Sequence, residues 1–299
     1  MKVINFGSLN LDFVYTVDHI VEAGETISSN ALQINCGGKG LNQSIALAKA
    51  GVSVFHAGKV GSDGGMLTEL LSSYGVNIDN VLLSETRTGN AIIQVDKHGQ
   101  NSIVLYGGAN RDIDQKMIDS VLQGCSHGDY LLLQNEINHL DIIMEQAHKA
   151  GLQIIFNPSP ADSYLNLLPL EYVSFFVLNE IEGKAISGFE SPEDILKGIR
   201  NQYPDSKVLL TLGENGSCYQ DADGIYRHGI IKCKAVDTTA AGDTFTGYFI
   251  AGMINGLSVD QNLKQASVAA SIAVSRLGAA ASIPYQNEVL ELLNNVDTN

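Results

Sequence analysis

YLLLQNEINHLDIIMEQAHKAGLQIIF, residues 130–156, carries the unit on which the architecture is built. Tyr130–Leu133 and Gln153–Phe156 are short apolar runs of strand length, and the stretch between them reads as helical. Outward from there the same unit recurs. Val3–Phe6, Val52–Ala57, Ser174–Leu178 and Lys207–Thr211 are further candidate strands, each bounded by Gly, Asn, Asp or Pro, and most are followed by a helical pattern. Strand–helix alternation at this spacing predicts an α/β protein, its parallel sheet covered by helices on both faces.

Two regions break the alternation. Asp12–Cys36 and Thr88–Tyr106 read as β structure with no helix between strands, the second as a hairpin of Asn90–Val95 and Ser102–Leu105 turning at Lys97–Gln100. Strands of this kind do not enter a parallel core easily. They are expected to form a small sheet over one edge, from about 12–37 and 88–106, either a lid or an ordinary edge hairpin. The C-terminal third is expected to be helical, with helices around Thr244–Gly256, Asp260–Ser275 and Gln286–Asn294. The whole, residues 1–299, reads as one unit, because α/β folds reach this length as a single domain.

Composition narrows the function. Hydrophobic residues make up 44% and charged residues 17% of the chain, with a formal net charge of −15. A polyanion gains nothing from releasing phosphate counterions, so nucleic acid is not an expected partner, nor is an anionic membrane surface. Any phosphorylated ligand then needs a local patch of positive potential. Cys36, Cys125, Cys218 and Cys233 show neither paired metal-site spacing nor a disulfide framework, and are expected to be buried thiols in a reducing compartment. No apolar stretch approaches the roughly 20 residues of a membrane span, and Asn10 and Asp12 interrupt the first apolar run, so a cytoplasmic protein without a signal peptide is expected.

Chemistry concentrates in Ala235-Val-Asp-Thr-Thr-Ala-Ala-Gly-Asp-Thr-Phe-Thr-Gly247. The small residues Ala240, Ala241 and Gly242 lead into a helix whose first-turn N–H groups have no internal partner, a site for an anion that must approach the backbone closely. Asp243 at that helix start has two readings. It is an N-cap, or it is a carboxylate beside an anion hole, placed to accept a proton from an attacking hydroxyl. Gly37-Gly-Lys-Gly-Leu-Asn-Gln43 is a second glycine-rich helix entry, with Lys39 and Asn42 as donors; it lacks the last glycine of a dinucleotide fingerprint, and no Walker A loop occurs in the chain. Gly7-Ser-Leu-Asn-Leu-Asp12 places Asn10 and Asp12 on one side of an extended segment, suited to gripping sugar hydroxyls or to satisfying a turn. Glu136, Asn179, Glu182 and the loop Thr211–Gly216 all follow candidate strands, the rim where open α/β sheets bind ligands, although capping alone also explains Asn179-x-x-Glu182.

Together these segments, with Ala23–Thr26, Gly108–Asn110 and Asn157–Pro160, resemble the ribokinase family, also called the phosphofructokinase-B family of carbohydrate kinases, end to end. The resemblance implies a doubly wound core with a β lid that forms a homodimer contact, and ATP-dependent phosphorylation of a small sugar's primary hydroxyl. Ribose is the favoured substrate; another pentose, a ketohexose or a nucleoside, or a catalytically silent sugar-binding regulator, are the alternatives. It implies Asp243 as base, with Ala240, Ala241 and Gly242 at the anion hole, and sugar contacts from Asn10, Asp12, Gly38, Lys39, Asn42 and Glu136. Asn179, Thr211, Gly213, Gly216 and Ser267 would line the ATP site, with Glu182 organising Mg²⁺ through water. Asp237, Thr239, Ala273, Arg276, Gly278 and Ser282 would surround K⁺. Against the family pattern, Leu41 stands where a small residue is usual, Ser267 where His or Asn is common, Leu178 where proline often precedes the Asn-x-x-Glu motif, and Tyr106-Gly107 where His is usual before Gly-Ala-Asn.

Overall fold

The computed structural model describes residues 1–296; positions 297–299 of the expected unit lie outside the described residues. In chain order the elements are β1 (Val3–Phe6), β2 (Asn10–Thr16), β3 (Ala31–Gly37), α1 (Lys39–Lys49), β4 (Val54–Val60), α2 (Gly65–Ser73), β5 (Asn77–Leu83), β6 (Gly89–Val95), β7 (Asn101–Tyr106), α3 (Gln115–Gln123), β8 (Tyr130–Gln134), α4 (Leu140–Lys149) and β9 (Gln153–Asn157). There follow β10 (Val173–Asn179), α5 (Glu180–Ser187), α6 (Pro192–Gln202), β11 (Lys207–Thr211), β12 (Ser217–Gln220), β13 (Ile225–His228), α7 (Ala241–Ile254), α8 (Val259–Val274) and α9 (Gln286–Val296).

Nine strands form one sheet in the order β13-β12-β11-β10-β9-β8-β1-β4-β5, parallel except for the antiparallel β11–β12 and β12–β13 pairs. Its central strands are apolar on both faces, and alternation sends successive residues to opposite sides. Val3, Leu132, Ile155, Val177 and Leu209 enter a core under α1, α2, α7, α8 and α9. Their neighbours Ile4, Leu133, Phe156, Phe176 and Leu210 enter a second core under α3, α4 and α6. The sheet is wound outward in both directions from β1 and β8, the doubly wound arrangement expected from the strand–helix alternation. Local signals set the helix starts: Asp114 accepts from Met117 N–H, Ser191 from Asp194 N–H just before Pro192, and Ser258 forms a capping box with Gln261.

A separate four-stranded sheet runs β3-β2-β6-β7, with β2 and β6 parallel and both outer pairs antiparallel. It is built from the two segments that broke the alternation. β2 opens at Asn10, so this sheet begins ahead of the expected Asp12, a correction to that bound, and it carries both Asn10 and Asp12. Two further corrections concern the core. The Val52–Ala57 run forms a strand shifted to Val54–Val60, because Val52 completes the turn after α1, its N–H donating to Leu47 O at 3.1 Å. After the expected β11, the last third also carries the β12–β13 hairpin before it becomes helical. All four cysteines are free, but only Cys218 is buried and Cys233 is exposed, so the expectation of uniformly buried thiols fails. Among the described residues no helix is long and apolar enough to cross a membrane.

Candidate active site

The parallel strands deliver polar groups to one rim. β1 runs into Gly7 and Ser8, β8 into Asn135 and Glu136, and β9, β10 and β11 end on Asn157, Asn179 and Thr211. Winding reverses between β1 and β8, the point where open sheets leave a crevice. The start of α1 is driven into that crevice. A Cβ on Gly40 would stand 2.4 Å from Ser8 N, and one on Gly7 would stand 2.7 Å from Gly40 Cα, so only glycines permit the approach. Gly38, at φ 98°, makes the left-handed entry that aims the helix.

Asp243 is not an N-cap. Ala240 holds that position at φ 58°, and Asp243 sits in the first turn of α7 with its carboxylate turned to α1. Oδ2 accepts from Asn42 Nδ2 at 3.0 Å and Oδ1 from Gln43 Nε2 at 2.9 Å. Burial pushes the carboxyl above its ordinary range, while the Lys39 ammonium and these two amides pull it back. The Ala241 N–H donates to Thr238 O at 3.2 Å. The following amides, of Gly242 and Asp243, lie in the turn where a helix offers them no internal acceptor. A Cβ added to Gly242 would meet nothing within 4 Å, so packing leaves open space beside this backbone.

Beside Asp243 lies a cluster of opposite charges. Lys39 Nζ is 3.2 Å from Glu136 Oε1, and Glu136 Oε2 accepts from Lys39 N–H and from Ser8 Oγ. Burial alone would lower Lys39; the carboxylates of Glu136, Asp243 and Glu182 outweigh it and hold the ammonium above its usual range. Asp12, on the small sheet, is pushed up to about 7, by burial first and then by Glu136, with Lys39 opposing. Asn10 Oδ1 accepts from Asn110 Nδ2 at 2.7 Å, which fixes the amide at the base of the sheet. Lys39 thus pairs with Glu136 and Asn42 with Asp243, the Lys39 ammonium acts on the Asp243 and Asp12 carboxylates, and Asn10 and Asp12 lie on β2. Leu41 points elsewhere: it is fully buried in the core, so the bulk that departs from the family pattern serves helix packing.

Two cavities meet at the start of α7. A cleft of about 200 Å³ is lined by Lys39, Asn157, Asn179, Glu182, Thr211, Gly242 and Asp243 among others. A larger one of about 690 Å³ has walls from Thr211, Gly213, Gly216, Ile230, Phe245, Ser267 and Val274, and Gly242 again. Gly242 and Thr211 belong to both. Gly216, at φ 89°, must be glycine, since a Cβ there would lie 2.1 Å from His228 O. Ser267 Oγ is 3.1 Å from His228 Nδ1 in the larger cavity wall. Asn179 and Glu182 do form a capping box; the Glu182 carboxylate also reaches Asn157 Nδ2 at 3.4 Å, and burial raises its pKa.

The expected cation residues come together only in part. Asp237 Oδ1 accepts from Thr239 N–H and Oγ, and Oδ2 from Gly278 N–H at 2.9 Å; these donors overcome burial and hold the carboxyl below its usual range. Arg276 turns its guanidinium to Glu288, and its N–H donates to Ala273 O. Ser282 Oγ donates to Ala279 O. Carboxylate, hydroxyl and carbonyl oxygens are a donor set that fits a hard cation such as K⁺, with Arg276 and Ala273 able to offer only backbone oxygen. Among the described residues no three His, Cys, Asp or Glu side chains cluster as a metal cage; a Mg²⁺ that keeps its waters and leans on one carboxylate, such as Glu182, needs none.

Sequence reading passed over Gln43 as a contact of Asp243, along with Ser8, Asn110, Asn157 and Gln134. Gln43 and Asn157 lay within quoted motifs, but their partners lie more than a hundred residues away.

A non-P-loop α/β fold with open helix-start amides beside a hydrogen-bonded carboxylate fits a small-molecule kinase. The chain belongs to the pfkB family of carbohydrate kinases, whose model matches residues 1–286. It is 33% identical to ribokinase of Haemophilus influenzae and 34% identical to that of Bacillus subtilis, covering 96% of this chain in both cases and 96% and 98% of those proteins. The structure of Arabidopsis thaliana ribokinase complexed with ribose and ATP matches 98% of each chain, with 31% identity and a TM-score of 0.87.

Proposed function

We propose that the protein transfers the γ-phosphoryl group of ATP to the primary hydroxyl of ribose, giving ribose 5-phosphate and ADP. One observation carries the reading: the Gly242 backbone lies in the wall shared by the two cavities, and the Asp243 carboxylate adjoins it in the smaller. The larger cavity takes the nucleotide, lined by Thr211, Gly213, Gly216 and Ser267, with the phosphates pointing at Gly242. Asn10, Asp12, Gly38, Lys39, Asn42 and Glu136 hold the sugar, offering acceptors and donors suited to several hydroxyls. Asp243 accepts the hydroxyl proton as the oxygen attacks phosphorus, and the helix-start amides stabilise charge on the transferred group. Mg²⁺ near Glu182 would neutralise phosphate charge, and K⁺ near Asp237 would strengthen the positive potential at the α7 start. The likeness to ribokinases over nearly the full chain supports ribose over other acceptors.

The small sheet is read as a lid and dimer contact. Ile34, Ile92, Ile103 and Leu105 leave it with exposed apolar surface and open edges, which a second copy would cover. Residues 1–299 are read as a single unit, and a cytoplasmic location fits the free thiols. The test is a coupled ADP-release assay with ribose, deoxyribose, fructose and a nucleoside, each with and without K⁺. Ribose should give the highest kcat/KM; a higher value for another acceptor overturns the substrate, and ribose binding without ADP release overturns the reaction. Light scattering should give a dimer, and a concentration-independent monomer overturns that contact.

A further inference from the structure

Beneath the cleft, five buried amide and hydroxyl side chains form one directed chain of hydrogen bonds. Asn5 Nδ2 donates to Gly40 O at 2.8 Å, a group that can only accept, so Asn5 Oδ1 must face the other way. There it accepts from Gln134 Nε2 at 3.0 Å, and the same Nε2 donates to Gln43 Oε1 at 2.8 Å. With its oxygen held by Gln134, Gln43 presents its Nε2 donors to Asp243 Oδ1 at 2.9 Å and Asn157 Oδ1 at 3.1 Å. The far end is fixed in the same way, since Asn157 Nδ2 donates to Val177 O at 2.9 Å. Ser44 Oγ, which accepts from Asn5 Nδ2 at 2.8 Å, continues the chain to His56 Nδ1.

Backbone carbonyls at both ends therefore set the polarity, and no amide can flip alone without bringing oxygen against oxygen. Asn5, Gln43 and Gln134 are fully buried, and none lines either cavity. The packing is built around Gln134: a Cβ on Gly7 would stand 2.4 Å from its Oε1. We propose that Gln134, anchored by Asn5, is a positioning residue of the phosphoryl transfer, orienting the Gln43 amide so that it donates to the Asp243 carboxylate and keeps it an aimed, ionised acceptor. The inference rests on Asp243 being the base.

Loss of Gln134 leaves Gln43 Oε1 without its donor, so the Gln43 amide is no longer held in line, its bond to Asp243 Oδ1 is lost or lengthened and the carboxylate is misaimed. Losing the donor also raises the carboxyl's affinity for protons, so the acid limb of the kcat/KM profile moves to higher pH. The experiment measures ATP- and ribose-dependent ADP release and its pH profile for wild type, Gln134→Met, Gln43→Met, the double variant and Asp243→Asn, with thermal melting of each. Gln134→Met should lose about 10–100-fold in kcat with small changes in both KM values, the usual scale of a misplaced catalytic group. In the Gln43→Met background it should cost nothing further, because it acts only through Gln43. Should Gln134→Met fail to fold, Gln134→Glu, equal in shape but unable to donate when ionised, takes its place. Wild-type kcat and pH profile in the Gln134 variant, or an equal and additive loss in the Gln43→Met background, overturns the proposal while Asp243→Asn is still inactive. An active Asp243→Asn variant overturns the base assignment and this inference with it.

Discussion

Asn42 Nδ2 donates to Asp243 Oδ2 at 3.0 Å across a separation of 201 residues, and this contact joins the starts of α1 and α7 at one point. The helices can meet so closely because of Gly247. A Cβ there would stand 2.4 Å from Ala46 Cβ, so only a glycine lets α7 lie against α1 and bring its carboxylate to the amides. Packing thus places the carboxylate proposed as the base, and the backbone ahead of it carries the amides proposed as the anion hole.

Gly242→Ala separates fold from chemistry. The added methyl meets nothing in the protein and suits a helix, so thermal stability should hold or rise by up to about 1 kcal/mol. The methyl would occupy the space in which phosphate oxygens approach the backbone. Turnover should fall about 100-fold, the scale of losing one anion-hole donor. Melting curves and ADP-release rates on the same samples check both halves.

Asp12→Asn tests the burial of the sugar-side carboxylate. Burial and Glu136 raise the folded-state pKa from 3.8 to about 7. A raised pKa favours folding below the unfolded value and loses that contribution as pH rises through the folded one. An amide has no such dependence. The Tm of Asp12→Asn should therefore rise relative to wild type between about pH 5 and about pH 8, as paired melts across that range will show. In wild type, ribose affinity should strengthen over the same interval as Asp12 ionises and becomes a full acceptor.

Leu41→Ala distinguishes core from pocket. Leu41 has no exposed surface and packs among the apolar residues between α1 and α7, so truncation should cost about 2–5 kcal/mol by denaturant unfolding. The KM for ribose should stay near wild type. A large change in KM with intact stability would place Leu41 at the sugar instead.

The central strands were legible because they are short, apolar on both faces and bounded by breakers: β1 and β11 fall on the residues expected. β5 and the β12–β13 hairpin were not. Asn77-Ile-Asp-Asn-Val-Leu-Leu83 mixes polar and apolar residues as an edge strand does, and the hairpin follows a loop already read for its glycines. That Asp243, Gly242 and Lys39 would gather at one rim was legible because small residues, charge and helix starts coincide in short motifs, and Glu136 because it follows a candidate strand. Gln134 was not, since a glutamine ending an apolar strand carries no signal of its own. Its meaning comes from Asn5 and Gln43, 129 and 91 residues away, which only the sheet order β8-β1 and the intrusion of α1 bring together.

In the proposed reaction the α7 start binds the transferred phosphoryl group while Asp243 accepts the sugar's proton. A single-turnover measurement of ribose 5-phosphate formation by Asp243→Asn, with ATP, Mg²⁺ and K⁺ saturating and ribose binding confirmed by calorimetry, addresses it most directly. Product formation should slow by about 10²–10⁴-fold while both substrates still bind. Formation at close to the wild-type rate would show that Asp243 is not the base.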